Sequence, residues 1–258
     1  MTETNHHSTP GPELTLYVKA GQAGQGFGAC PFCQQIHMIL ALKGQEYDGK
    51  LFEVVVIDPG RPPAEFRKHA NRLPVLKHGD EVLTENEEII NYIDKNFPEP
   101  DLSYSDRRAH TVCLDVFSKF AHYIKQVSTS PDHLISELWR VSDHMVDSGN
   151  KFLCGDKLTH LDCLMLPKLQ HIRVAALAFK DFHIPSTMTG IWRYLWKAYK
   201  EPIFQVSLPS DQEIVYHWSC KSETPLLSEE KKRIYCIDGE PQYDVSMPDG
   251  YKVPEDSE

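Results

Sequence analysis

The sequence predicts an α/β N-terminal domain followed by an all-α C-terminal domain. Three observations predict it. Residues 13–96 alternate strand-like and helix-like segments, Phe97-Pro98-Glu99-Pro100 breaks the chain, and beyond it the apolar residues recur at helical spacing. The expected organisation is a disordered N-terminus (1–12), an α/β domain (13–96), a linker (97–105), an all-helical domain (106–219) and an acidic, irregular tail (220–258).

Leu14–Val18 and Leu51–Ile57 are rich in Val, Ile and Leu and read as buried strands. Between them, Pro31–Lys43 reads as a helix with proline in its first turn and Gly44 as its stop. Arg61–His69 is a short helix led by Pro62 and Pro63. Val75–Lys77 and Val82–Thr84, joined by His78-Gly79-Asp80-Glu81, form a hairpin. Asn86–Lys95 is a helix with Ile89, Ile90 and Ile93 on one side. The order βαβαββα is that of a thioredoxin fold. Helical segments then follow at Asp106–Val127, Asp132–Asp147, Leu161–Lys180 and Ile191–Lys200. The tail sets ten acids against five bases; it reads as a solvated run laid over the helices through Ile234, Tyr235, Ile237 and Tyr243, rather than as a cation site.

The chemistry concentrates at Cys30-Pro31-Phe32-Cys33, a Cys-x-x-Cys placed after a strand and a glycine-rich turn, at the start of a helix. Amide N–H groups at a helix N-terminus favour thiolate over thiol. Cys30 is therefore the expected nucleophile, and Cys33, one turn in, the group that resolves a mixed disulfide; the plainer alternative is a pair of reduced structural cysteines. Two weaker patterns carry little. Gly21, Gly24, Gly26 and Gly28 lack the Gly-Lys-Ser/Thr of a phosphate loop. Cys30, Cys33 and His37 find no second ligand pair, so no metal site is expected.

Composition narrows the function. A net charge of −10 with pI near 5.7 argues against nucleic acid as the partner. Seven cysteines, without a secretory signal in the polar start, point to a reducing cytoplasm. No apolar run reaches the ~18 residues of a membrane span, so a soluble protein is expected.

Several motifs together resemble the chloride intracellular channel family, a branch of the glutathione-transferase superfamily near the omega class. They are Leu16-Tyr17-Val18-Lys19-Ala20-Gly21, Cys30-Pro31-Phe32, Asp115-Val116-Phe117-Ser118-Lys119-Phe120, Tyr123-Ile124-Lys125, Phe152-Leu153-Cys154-Gly155-Asp156 and Leu166-Pro167-Lys168-Leu169. The resemblance spans roughly residues 13–216 and implies a glutathione-transferase fold. The chain departs from vertebrate members in having Cys33 where they usually carry serine, and in lacking their long acidic loop at Asp147-Ser148-Gly149-Asn150. Its extension after Cys220 resembles that of the invertebrate type.

The resemblance further implies roles for individual residues. Leu73-Pro74 looks like the superfamily's cis-proline, whose preceding residue pairs with the glutathione backbone. Glu85-Asn86 falls where an acid and a hydroxyl residue hold the γ-glutamyl carboxylate; Asn86 would still cap the next helix. Cys30, Phe32, Leu73, Pro74, Glu85 and Asn86 are thus the implied glutathione contacts, and Arg72 is read as an exposed arginine. Thr159 and Asp162 read as a structural capping box, and Cys154 and Cys163 as inert core thiols.

Two functions follow. The family's namesake activity implies conditional association with membrane lipids and conduction of chloride, with roughly residues 30–52 as the span. Lys43, Glu46, Asp48 and Lys50 oppose that, each charge costing about 3 kcal/mol near a bilayer centre; thirteen histidines offer an acid trigger. The residues support the second function, a glutathione-dependent thiol–disulfide oxidoreductase, more directly. A non-catalytic cytosolic scaffold is a third.

Overall fold

The computed structural model describes residues 14–22, 24, 26–47, 49–236 and 238–251; the expected disordered N-terminus, Ile237 and the last seven residues of the tail lie outside them. Four strands, β1 (Leu14–Lys19), β2 (Phe52–Ile57), β3 (Val75–His78) and β4 (Glu81–Leu83), form one sheet in the order β2-β1-β3-β4. β1 runs parallel to β2 and antiparallel to β3, with Leu16 opposite Val54 on one side and Leu76 on the other. The central β1 buries Leu14, Leu16 and Val18 completely. β2 was expected to be buried and is instead a half-exposed edge strand, with Glu53 and Val54 open to solvent, because only one side of it has a neighbour.

The helix α1 (Pro31–Lys43) matches its expected bounds. It is enclosed by the sheet, by α3 (Asn86–Asn96), by α7 (His160–Lys180) and by α9 (Pro202–Ser207). Even its polar residues are therefore buried: Gln34 donates to Ser207 Oγ at 3.2 Å, and Lys43 Nζ donates to the Pro98 and Pro100 carbonyls at 3.0 and 2.9 Å and pairs with Asp94 at 3.0 Å. A buried ammonium is tolerable only with its donors used in this way. The same contacts hold the linker against α1. The second helix, α2 (Ala64–His69), is shorter than expected, since Pro63 holds its N-cap position with ψ of 146° and the helix starts only after it.

The C-terminal half is helical, as expected, with corrections at the ends. The single helix expected over Asp106–Val127 is two, α4 (Arg107–Cys113) and α5 (Val116–Ile124); at the break, the Ser118 hydroxyl takes the Asp115 carbonyl. α6 (Asp132–Ser148) and α8 (Thr189–Ala198) cross closely at Gly190, where a Cβ would sit 2.0 Å from the Ser142 carbonyl oxygen. The N-terminus of α7 is held by Asp162, which accepts from the Thr159 N–H and hydroxyl, from the Leu153 N–H and from the Tyr194 hydroxyl. One apolar cluster runs from Leu16 and Ile39 through Phe120 and Leu169 to Trp218, so both halves share a core.

Two further helices were not anticipated: α9 and α10 (Asp211–Ser219), the latter capped by Ser210, whose hydroxyl accepts from the Glu213 N–H. The tail also carries a helix, α11 (Glu229–Ile234). The tail does lie over the helical half, but Ile234 and Tyr243 are exposed; the attachment is polar, with Arg173 donating to Asp244 Oδ1 at 2.7 Å and to the Ser246 carbonyl at 2.6 Å. Asp211 accepts from the Asp244 N–H at 3.0 Å and Gln212 donates to the Glu240 carbonyl at 2.8 Å. Tyr235 is partly buried against the core, in keeping with the expectation.

Candidate thiol site

The glycine-rich turn delivers Cys30 to α1. Ala20 bridges to Phe27, the Gly28 N–H donates to the Lys19 carbonyl at 2.8 Å, and the Cys30 N–H donates to the Gly28 carbonyl at 2.8 Å. Gly28 is required, because a Cβ there would lie 2.3 Å from the Ala20 oxygen. The glycines thus serve a tight return of the chain. Cys30 is the N-cap of α1 with extended backbone, and Pro31 occupies the first helical position.

All seven cysteines are free thiols. Cys30 is 8% exposed and its thiol is lowered from 9.0 to about 6. The hydrogen bond from the Cys33 side chain is the main cause; the Cys33 and Phe32 N–H groups and the charge on Lys19 add to it, and burial opposes it. Cys33 is pushed well above 9.0 by burial and by its neighbour. At neutral pH the pair is a thiolate at Cys30 held by a thiol at Cys33. His37, one turn further, is half-buried between the rings of Phe27 and Phe52, and its partial removal from water lowers it to about 4. Among the described residues, no group of three His, Cys, Asp or Glu is placed to hold a metal ion.

The remaining thiols fall into two kinds. Cys113, Cys154 and Cys163 are raised by burial, Cys113 to about 12 and Cys154 to about 11, which fits unreactive packing; Cys154 is only half-buried, against the expectation of a core position. Cys220 and Cys236 are exposed.

Cys30 opens into a cavity of about 820 Å³ between the two halves of the molecule. Of the implied glutathione contacts, Cys30, Phe32 and Leu73 line it. Phe32 is 44% exposed and meets Phe117 of α5 edge-on at 6.5 Å between centroids. The Leu73–Pro74 bond is cis, and Pro74 is buried behind the cavity wall. Glu85 and Asn86 do not line the cavity. Asn86 does not cap α3: it is the first helical residue, Glu85 holds the N-cap position without a side-chain hydrogen bond, and the Asn86 amide donates to Gln35 Oε1 at 3.4 Å. Glu87 and Glu88 supply negative charge in that first turn instead. Arg72, half-exposed at the cavity rim, is ion-paired with Glu85.

Sequence reasoning missed the opposite wall. It is built by Phe117 and Lys125 at the two ends of α5 and by His217, Trp218 and Lys221 in and after α10; Lys19 at the end of β1 also lines the cavity. The signal for α10 was present as Ser210-x-x-Glu213, a capping-box spacing. Trp218 packs edge-on against Phe120 at 4.9 Å, and its indole N–H donates to His171 Nδ1 at 3.0 Å.

Comparison with known proteins agrees with this architecture. The family model described as "CLIC-like N-terminal domain" matches residues 12–100. The chloride intracellular channel Clic of Drosophila melanogaster is 33% identical over 225 residues, covering 85% of this chain and 86% of that protein. Among solved structures, the CLIC homologue EXC-4 of C. elegans superposes with a TM-score of 0.77 at 23% identity, covering 92% of this chain and 90% of that one. Chlamydomonas reinhardtii dehydroascorbate reductase gives 0.71 at 24% identity, covering 80% and 97%. The two structures establish a shared fold.

Proposed function

The chain belongs to the chloride intracellular channel family, and from that membership we propose a protein whose soluble, glutathione-transferase-fold form associates conditionally with membranes and conducts chloride under redox control through Cys30. The observation that carries the reading is the Cys30 thiolate at the head of α1, beside Cys33. α1 opens the segment that would enter the bilayer, so oxidation at Cys30 acts on the element that has to move. Among the described residues no helix is long and apolar enough to cross a membrane, and α1 is buried on nearly every side. Entry therefore requires α1 to leave the core and Lys43 to leave Asp94 and the two proline carbonyls. The proposed units are those expected from the sequence: 13–96, a linker over 97–105, 106–219, and the tail from 220, in a cytoplasmic protein.

The test is chloride efflux from anionic vesicles under oxidising and reducing conditions, with the intact protein and Cys30→Ser. Redox-dependent efflux from the intact protein alone supports the reading; no efflux in either state removes it.

A second reading is favoured by the same thiolate facing a cavity of about 820 Å³: a glutathione-dependent thiol–disulfide oxidoreductase. The Cys30 thiolate attacks one sulfur of a substrate disulfide, the S–S bond breaks, and a thiolate leaves. Glutathione, or Cys33 after losing its proton, then attacks the Cys30 mixed disulfide and releases the second half. The Leu73 backbone with Pro74 is proposed to align glutathione next to Cys30. Glu85 and Asn86, engaged by Arg72 and Gln35, would have to release those partners to take part. Glutathione-dependent reduction of a small disulfide, present in the intact protein and lost in Cys30→Ser, supports it; turnover in neither leaves Cys30 as a sensor.

A further inference from the structure

Residues 240–246 of the tail form neither helix nor strand and cross the helical half as a bound peptide would. Their main chain is taken up largely by side chains. Gln212 accepts from the Gln242 N–H at 2.9 Å and donates to the Glu240 carbonyl at 2.8 Å. Asp211 accepts from the Asp244 N–H at 3.0 Å, and its own N–H donates to the Gln242 carbonyl at 2.8 Å. Groups that copy the edge of a strand hold an extended backbone without reading its sequence. One side chain is read as well. Asp244 Oδ1 takes Arg173 Nη2 at 2.7 Å, and the same nitrogen donates to the Ser246 carbonyl at 2.6 Å. The Ser246 N–H and hydroxyl both donate to Asp244 Oδ1, at 3.0 and 2.6 Å, a local turn that aims the carboxylate at Arg173.

The receiving groove is built without help from the tail. Arg173 is 9% exposed and lies over the rings of Trp192 and Tyr199, at 5.4 and 5.5 Å from their centroids. Its Nη1 donates to the Tyr199 hydroxyl at 2.7 Å, and that hydroxyl donates to Gln170 Oε1 at 2.6 Å. Nη2 is left facing the tail. A guanidinium fixed on aromatic rings with one nitrogen directed outward is suited to a carboxylate. The tail fills this groove incompletely. Tyr243 and Val245, on either side of Asp244, are 51% and 42% exposed. Asp211 Oδ1 is buried without a hydrogen-bond partner among the described residues. A cleft of about 420 Å³, lined by Val206, Leu208, Pro209 and Tyr243, lies open beside the segment.

We propose that the groove between α7 and α10 is a peptide-recognition site for an extended segment of a partner protein carrying Asp two residues before Ser, and that the tail occupies it as a tethered competitor. Arg173 reads the Asp carboxylate, the Ser orients that carboxylate, and Gln212 and Asp211 hold the backbone that precedes it. A competitor on the same chain acts at an effective concentration on the order of millimolar, so the site stays closed until a partner segment displaces the tail. The proposal is independent of the chemistry at Cys30.

The test is fluorescence anisotropy of a labelled peptide spanning residues 239–249, added to the full chain and to Asp244→Lys. That substitution sets an ammonium against Arg173 and releases the tail, while Arg173, Asp211 and Gln212 stay in place. The variant should bind the peptide about tenfold more tightly than the intact chain does, because the competitor is gone. A peptide with lysine in place of its Asp should bind neither chain. Equal binding by the two chains, binding that ignores the Asp of the peptide, or no binding to the variant overturns the site. Should Asp244→Lys fail to fold, Gln242→Pro, which strips the N–H given to Gln212, releases the tail instead and is read in the same way. Light scattering of the intact chain separates a partner protein from a second copy. A monomer upholds the partner; a dimer that Asp244→Lys abolishes shows that copies exchange tails, and overturns it.

Discussion

The Cys33 thiol donates its hydrogen bond to Cys30 within the first turn of α1, and the two sulfurs are driven in opposite directions, Cys30 down to about 6 and Cys33 well above 9.0. One helical turn thus makes a nucleophile and a reserve of two chemically identical side chains. Family members with serine at the second position keep a hydroxyl donor there. The relationship predicts that Cys33→Ala, which deletes the donor, returns Cys30 toward 9.0, whereas Cys33→Ser retains most of the depression. Thiolate absorbance against pH distinguishes the two, and identical curves for both variants would show that the helix start alone sets Cys30.

Asp211 is raised from 3.8 to about 6, chiefly by burial, with the Asp244 charge adding to it and the Asp244 N–H opposing. A carboxyl raised in the folded state is stabilising when protonated, below its unfolded value of 3.8, and that contribution is lost as pH rises through about 6. Relative to Asp211→Asn, the intact protein should therefore lose on the order of 2 kcal/mol of stability between pH 4 and pH 7. Urea unfolding at both pH values measures it; a difference that does not change with pH would place the Asp211 charge in water.

Much of this was legible in the sequence, and the failures have physical causes. α1 was bounded correctly because Pro31 and Gly44 punctuate it, and Asp162 at the α7 start because its spacing to Thr159 is local. Asn86 was placed one residue off: a capping residue and a first-turn residue are alike in type, and only the backbone angles of Glu85 separate them. The tail was expected to attach through apolar residues, but Arg173 and Asp211 hold it by charge and hydrogen bonds, which periodicity does not register. Lys19, Lys125 and Lys221 are far apart in the sequence, and they line one cavity only once β1, α5 and α10 have packed.

Lys43 is 1% exposed and ties α1 to Asp94 and the linker carbonyls. Lys43→Met keeps the apolar stem and strands both carbonyls, so it should cost about 2–3 kcal/mol. Asp94→Asn should cost less, since Asp94 is 39% exposed. The order of urea midpoints checks this, and a Lys43→Met variant as stable as the intact protein would deny the clamp.

Gly190→Ala sets a methyl group 2.0 Å from the Ser142 oxygen at the α6–α8 crossing. The helices would have to separate, at about 3 kcal/mol or more. Gly149→Ala, where no atom lies within 4 Å but φ is +67°, should cost closer to 1 kcal/mol from backbone strain alone. Thermal unfolding of the two variants ranks them; the reverse order would contradict the packing.

The central claim is that Cys30 is a thiolate at neutral pH, and its rate of alkylation by iodoacetamide from pH 4 to pH 10, read as modification of the Cys30 peptide by mass spectrometry, tests it most directly. The expected curve has its inflection near 6, is flat above pH 7, and falls about tenfold per unit below the inflection. An inflection near 9, or a rate at Cys30 no greater at pH 7 than at the exposed Cys220, would contradict the account.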